Sequence, residues 1–163
     1  MLFRSVPDGS GVYFGVTPRT FQAGHFARAA MEGVTLGMNY GLRRLAELGV
    51  KPKQIRATGG GAKSAVWRQI MADVFNAEVT TLQVSEGAAY GAALQALWSW
   101  QRDRGEKTAI EDITDDFVKL NRAETARPSR RAVAVYAEMQ ALQDEVSAGL
   151  RGSFARHRRL VTR

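Results

Sequence analysis

The stretch Gln54-Ile55-Arg56-Ala57-Thr58-Gly59-Gly60-Gly61-Ala62-Lys63-Ser64 decides the fold. Gln54–Thr58 has the pattern of a short strand, and Ser64–Asn76 has that of a helix. Between them three consecutive glycines strip the backbone of side chains where a strand turns into a helix. A ligand can then approach the main chain and the free N–H groups of the helix start, which suits a phosphate or a ribose. A tight turn with no ligand would need the same glycines, so the run alone leaves both readings open.

Two well-known phosphate motifs can be tested on this run. The Walker A pattern requires glycine directly before Lys-Ser. Ala62 stands there, and Ala57 stands where the first glycine belongs, so that reading fails. The dinucleotide fingerprint Gly-x-Gly-x-x-Gly/Ala fits at Gly59 and Gly61 but meets Ser64 in the third place. The acid expected after the next strand has only a loose candidate, Glu86, and this reading stays a distant runner-up.

Working outward, Glu78-Val79-Thr80-Thr81-Leu82 is a β-branched strand. With the elements before it this gives a β-α-β unit, whose strands should be parallel. Upstream, Phe26, Ala30, Val34, Met38, Leu42 and Leu45 recur at helical spacing and predict a long helix from Gln22 to Leu48. Thr20 is its expected cap, Gly49 its stop, and Pro52 bars its return. Gly33, Gly37 and Gly41 share one row of that helix and suggest close contact with another element. Val12–Val16 is a short extended piece after a loop at Pro7–Gly11. Downstream, Ser85 and Glu86 open a small-residue helix that runs to about Trp100. Arg102–Lys107 is a charged break, Glu111–Arg131 is polar with a turn at Pro128, and a last helix covers about Arg131–Leu150.

The chain has 163 residues, enough for one domain with a real core. It has no cysteine, which excludes disulfides, thiolate catalysis and Cys-ligated metals, and fits a reducing cytoplasm. With only His25 and His157, a histidine-rich metal site is not expected. No stretch is apolar enough to span a membrane, and the start, Met1–Pro7, lacks the form of a signal peptide. The net charge of +7 raises nucleic acid as a partner. Its arginines crowd at Arg122–Arg131 and Arg151–Arg163, without interleaved aromatics to stack on bases. The expectation is a solvated, frayed basic tail and no nucleic-acid partner.

Three blocks together now resemble a family. The first is Gly11-x-Tyr13-x-Gly15-Val16 followed by His25-Phe26-Ala27-Arg28-Ala29-Ala30-Met31-Glu32-Gly33. The second is Ile55 to Asp73, with its triple glycine, Lys63-Ser64 and Trp67-Arg68. The third is Glu86-Gly87-Ala88-Ala89-Tyr90-Gly91-Ala92-Ala93. In order and spacing they resemble a signature, the adenosine motif and the connecting helix of the FGGY carbohydrate kinases, and the second block is similar to xylulokinases.

The resemblance implies an α/β fold, a partial ribonuclease H-like domain of the actin/hexokinase ATPase type, with few strands and surrounding helices. It implies a single unit over 1–163, the C-terminal nucleotide-binding part of a two-domain sugar kinase. Its core covers about 12–100, a helical extension about 111–152 and the basic tail 153–163. The implied ligands are ATP and Mg2+, the metal held largely by residues outside this chain. Gly59, Gly60 and Gly61 would face the α-phosphate and ribose, with Ala62, Lys63 and Ser64 beside the sugar or adenine. Lys63 would meet a phosphate or cap the helix start, and Trp67 would wall the adenine or pack internally. The implied reaction phosphorylates D-xylulose, with gluconate, ribulose and glycerol kinases as relatives. A non-catalytic module that binds nucleotide or a partner stays open beside it. The sugar site and catalytic aspartate would lie in an N-terminal domain missing from this chain. None of Asp8, Glu32, Asp73, Glu86, Asp115 and Asp116 matches the family's catalytic aspartate. Glu32 is expected to be hydrogen-bonded, and Asp73 to face solvent or a helix partner. Tyr90 stands where the family usually has a small aliphatic residue. A sheet lacking covering strands would leave Ile55, Val79 and Leu82 near water and favour a homo-oligomer.

Overall fold

The helical spacing of the N-terminal third produces α1, Ala23–Glu47. Its cap differs from expectation. Gln22 is the N-cap and makes no side-chain cap bond, because the Thr20 hydroxyl accepts the Thr17 N–H at 2.9 Å instead. Gly49, at φ +88°, ends the helix, and the Val50 N–H closes it on the Leu45 carbonyl at 3.0 Å. The computed structural model describes residues 6–84 and 87–162. Ser85, Glu86, Met1–Ser5 and Arg163 therefore lie outside the described residues, with the helix cap and the acid assigned to the first two.

The remaining elements follow in order: β1 Gln54–Ala57, a 3₁₀ turn Gly60–Lys63, α2 Ala65–Phe75, β2 Glu78–Leu82 and α3 Gly87–Asp103. Then come α4 Ile110–Phe117, β3 Leu120–Ala126, α5 Arg130–Gly149 and α6 Arg151–Val161. Among the described residues no helix is long and apolar enough to cross a membrane.

The chain divides into two compact units. One holds Pro52–Ala72 and Ala77–Arg127. Its sheet has the order β1-β2-β3. β1 and β2 are parallel, with Ile55 opposite Val79, which is the expected β-α-β arrangement. β3 joins antiparallel, and its register shifts between Val79 and Thr81. Threonine hydroxyls repair that irregularity: Thr80 Oγ1 donates to the Asn121 carbonyl at 3.3 Å, and Thr125 Oγ1 meets Thr80 Oγ1 at 3.0 Å. Ile70, Met71, Ala72, Val79, Leu94 and Ile113 form the buried core of this unit.

Two sequence expectations change here. Val79 is fully buried, and Ile55 and Leu82 are half-buried, so this face does not meet water as expected. The polar stretch after Glu111 contains α4 and β3. α4 starts with Asp112 accepting the Ala109 N–H at 3.1 Å, and Glu111 and Asp112 complement the positive helix start. Tyr90, noted only as a departure from the family's small aliphatic residue, has a role of its own: its hydroxyl ties α3 to the end of α4 by donating to the Phe117 carbonyl at 2.9 Å.

The other unit holds the residues through Lys51, Asp73–Asn76 and those from Pro128 onward. Here side chains join α1 and α5, and one of them, Gln143 Nε2, donates to the Gly33 carbonyl at 3.5 Å. A Cβ on Gly33 or Gly41 would meet nothing within 4 Å. Asn39 Nδ2 donates to Gln140 Oε1 at 3.1 Å, and Arg43 pairs with Asp144 at 2.9 Å. Val12–Val16 forms no strand, and its backbone has no hydrogen-bond partner among the described residues. The basic tail is helical rather than frayed: α6 runs to Val161, and Arg158 finds its carboxylate in Asp8 at 2.7 Å.

Candidate nucleotide-binding site

β1 delivers the chain to Thr58, and Gly59 turns it. At φ +84° and ψ −175°, Gly59 occupies backbone space that side chains disfavour. Gly60–Lys63 then winds as a 3₁₀ turn, closed by Ala62 N–H to the Gly59 carbonyl and Ser64 N–H to the Gly61 carbonyl, both at 3.2 Å. The N–H groups of Gly60 and Gly61 have no partner among the described residues. A Cβ on Gly59 or Gly60 would meet nothing within 4 Å, so this face of the turn is open.

Gly61 serves a different purpose. A Cβ there would stand 2.9 Å from the Trp67 ring, so the glycine lets the indole pack against the turn. Trp67 therefore supports the turn from beneath. Ser64 caps α2, its Oγ accepting the Trp67 N–H at 3.3 Å. Ala62 is buried, while Lys63 is exposed and makes no hydrogen bond or ion pair among the described residues. On the far side, Gly87 brings the start of α3 against Thr58; a Cβ on Gly87 would lie 3.0 Å from Thr58 Cγ2. Gly91, expected to serve the same packing, has nothing within 4 Å of such a Cβ.

Two functional neighbours escaped the sequence. Arg68 Nη1 donates to the Ala62 carbonyl at 2.6 Å and stands 3.5 Å from Glu124 Oε2. Glu124 lies on β3, and its Oε2 also accepts the Thr81 hydroxyl at 2.9 Å. Thr58, Gly59, Lys63, Thr81 and Glu124 line a cleft of about 40 Å³. That space holds roughly one small group, since a water occupies ~30 Å³ in the liquid.

Glu32 and Asp73 are engaged elsewhere. Glu32 Oε1 accepts from Arg28 Nε and from the Tyr136 hydroxyl, each at 2.8 Å, which is the hydrogen-bonded role expected of it. Asp73 is buried rather than facing solvent, and accepts the Ser129 N–H at 2.8 Å. A larger cavity of about 680 Å³ lies in the unit that contains α1 and α5, lined mainly by apolar side chains such as Val12, Leu36, Met139 and Val146.

The model of the FGGY family of carbohydrate kinases, C-terminal domain, matches residues 3–100, and so takes in β1, the glycine turn, α2 and β2. The chain belongs to this family. It is 38% identical over 131 residues to xylulose kinase of Haemophilus influenzae, a match covering 80% of this chain and 26% of that protein. Gluconokinase of Bacillus licheniformis is 32% identical over 145 residues, covering 85% of this chain and 27% of its own length. Among solved structures, a ligand-bound xylulose kinase from Lactobacillus acidophilus superposes with a TM-score of 0.77 at 25% identity, over 92% of this chain and 29% of that one. The chain thus spans about a quarter of the length of these relatives. Its α/β architecture is that of part of a ribonuclease H-like kinase domain.

Proposed function

We propose that Gly59, Gly60, Gly61, Ala62, Lys63 and Ser64 bind adenine nucleotide, and that the chain is the nucleotide-binding part of an ATP-dependent sugar kinase. The observation that carries this is the open glycine face, where the N–H groups of Gly60 and Gly61 have no partner among the described residues. Two outward donors beside a helix start suit an anionic oxygen. The exposed Lys63 ammonium adds a positive charge beside them. The names of the relatives favour D-xylulose as acceptor, giving D-xylulose 5-phosphate and ADP. Gluconate is the second reading, favoured by the gluconokinase match and a gluconate kinase structure at TM-score 0.76.

Among the described residues no three His, Cys, Asp or Glu side chains converge to hold a metal ion. The described donor set therefore offers no cage of three such groups, and magnesium would be held largely by residues outside this chain. The proposed use of ATP goes with a cytoplasmic location, and a chain without cysteine is compatible with that reading.

Calorimetry with ATP and ADP tests the site. Gly60→Asp is the informative variant, because the new Cβ meets nothing within 4 Å and the fold should tolerate it. The carboxylate would repel the phosphates, and the affinity should fall about tenfold or more. Equal heats for parent and variant, or no heat from the parent, would overturn the assignment. A coupled ADP-release assay with D-xylulose or gluconate should show no sugar-dependent turnover by the purified 163-residue chain, since none of its acids is placed as a base at a sugar site. Robust turnover would place the base within these residues.

A further inference from the structure

The buried guanidinium of Arg68 needs an explanation that the glycine turn alone does not give. Arg68 is 7% exposed, and burying a cation is costly unless good partners surround it. Its partners come from two places, one of them fixed by a third. Nη1 donates to the Ala62 carbonyl at 2.6 Å, within the 3₁₀ turn. The same nitrogen stands 3.5 Å from Glu124 Oε2 on β3. That oxygen is fixed in turn by the Thr81 hydroxyl of β2 at 2.9 Å. Ala62 is itself buried, so without Arg68 its carbonyl would face the interior with no donor. An apolar side chain of similar length would fill the space and leave that carbonyl unpaired.

We propose that Arg68 is a positioning residue for the nucleotide site, and that Glu124 and Thr81 hold Arg68 in place. The guanidinium fixes the peptide after Ala62, and the fixed peptide keeps the N–H groups of Gly60 and Gly61 turned outward. The site's geometry is thereby set by β3, a strand outside the glycine motif. This inference rests on the reading of the glycine turn as a nucleotide site.

The test uses the 163-residue chain with Arg68→Met, Arg68→Lys, Glu124→Gln and the double variant Arg68→Met/Glu124→Gln. Amide hydrogen exchange by NMR is followed without ligand at Ala62 and Ser64, whose N–H groups close the turn. ADP affinity is measured in parallel by calorimetry. Arg68→Met should speed exchange at these two amides about tenfold, leave Val79 and Thr80 unchanged, and weaken ADP about tenfold, as expected for a lost charge-assisted bond. Arg68→Lys restores a donor and should recover part of both. Glu124→Gln should fall between, and in the Arg68→Met background it should add nothing further. A uniform rise in exchange across the strands with unchanged ADP affinity would mean a purely structural role and overturn the proposal. So would additive effects in the double variant. No ADP binding by the parent would instead overturn the nucleotide reading, and the proposal with it; that outcome is distinguished because it appears before any substitution.

Discussion

Asp73 shows how one side chain can serve a distant element. It lies on α2 at 6% exposure, and its Oδ1 accepts the N–H of Ser129, the N-cap residue of α5. A helix start leaves N–H groups unpaired and carries a partial positive charge, so a carboxylate there satisfies both needs. Asp73→Ala should destabilise the chain by about 1–3 kcal/mol, the worth of a hydrogen bond to a buried carboxylate at a helix start. Asp73→Asn keeps an acceptor and should cost less. Urea unfolding at pH 7 measures both, and a loss below about 0.5 kcal/mol for the alanine variant would refute the capping role. The sequence places Asp73 on the nucleotide helix but could not reveal this partner, 56 residues away. The glycine turn was legible for the opposite reason: Gly59, Gly60 and Ser64 act on their immediate neighbours. Arg68 was quoted in the same motif yet gave no sign of its role, because Glu124 lies on a strand the sequence did not announce.

The pairing of α1 with α5 carries its own chemistry. Arg28, Glu32 and Tyr136 form a polar cluster: Glu32 accepts from both others, and Arg28 Nη2 donates to the Tyr136 hydroxyl at 3.1 Å. Burial and the Glu32 carboxylate push the Tyr136 phenol up from its ordinary value near 10 to about 12. A raised pKa in the folded state favours the neutral phenol, so its stabilising effect is complete below pH 10 and is lost as pH rises towards 12. The denaturant midpoint should therefore fall across that window, and Tyr136→Phe, which cannot ionise, should flatten the fall. An unchanged alkaline slope in the variant would refute the assignment. Elements of this kind differ in how openly the sequence shows them. β1, α2 and β2 announce themselves through local pattern: a glycine stop, a helical apolar row and a β-branched run. β3 reads Leu-Asn-Arg-Ala-Glu-Thr-Ala, without alternation, because between the apolar pairs Val79–Ala126 and Leu82–Leu120 at its ends, threonine hydroxyls and Glu124 fasten it to β2. α4 did leave a signal, since Ile110, Ile113 and Phe117 share a helical face behind two acids. α6 left none, because the carboxylate that meets Arg158 lies 150 residues away.

The exposed apolar surface bears on the state of the chain in solution. The expected source was a bare sheet face, but Val79 is wholly buried. The outer edge of β1 is four residues long and carries Arg56, which blunts it as a template for pairing. Val12–Val16 is the stronger cause. Val12, Tyr13, Phe14 and Val16 are all exposed, Phe14 by 67%, and no backbone bond restrains the segment among the described residues. Tyr13 is steadied only by an edge-on contact with Phe26 at 4.9 Å. An apolar stretch with free backbone groups can pair with its counterpart on a second copy, so the isolated chain should self-associate. The net charge of +7 opposes this at low salt, because two like-charged copies repel. Screening shortens that repulsion to about 8 Å at physiological ionic strength, so association should strengthen as salt is added. Replacing Phe14 and Val16 by serine should shift the equilibrium towards monomer while leaving the glycine turn, in the other unit, untouched. Light scattering over a range of concentrations and salt separates the cases: a monomer throughout, with one cooperative thermal transition, would refute association through this segment.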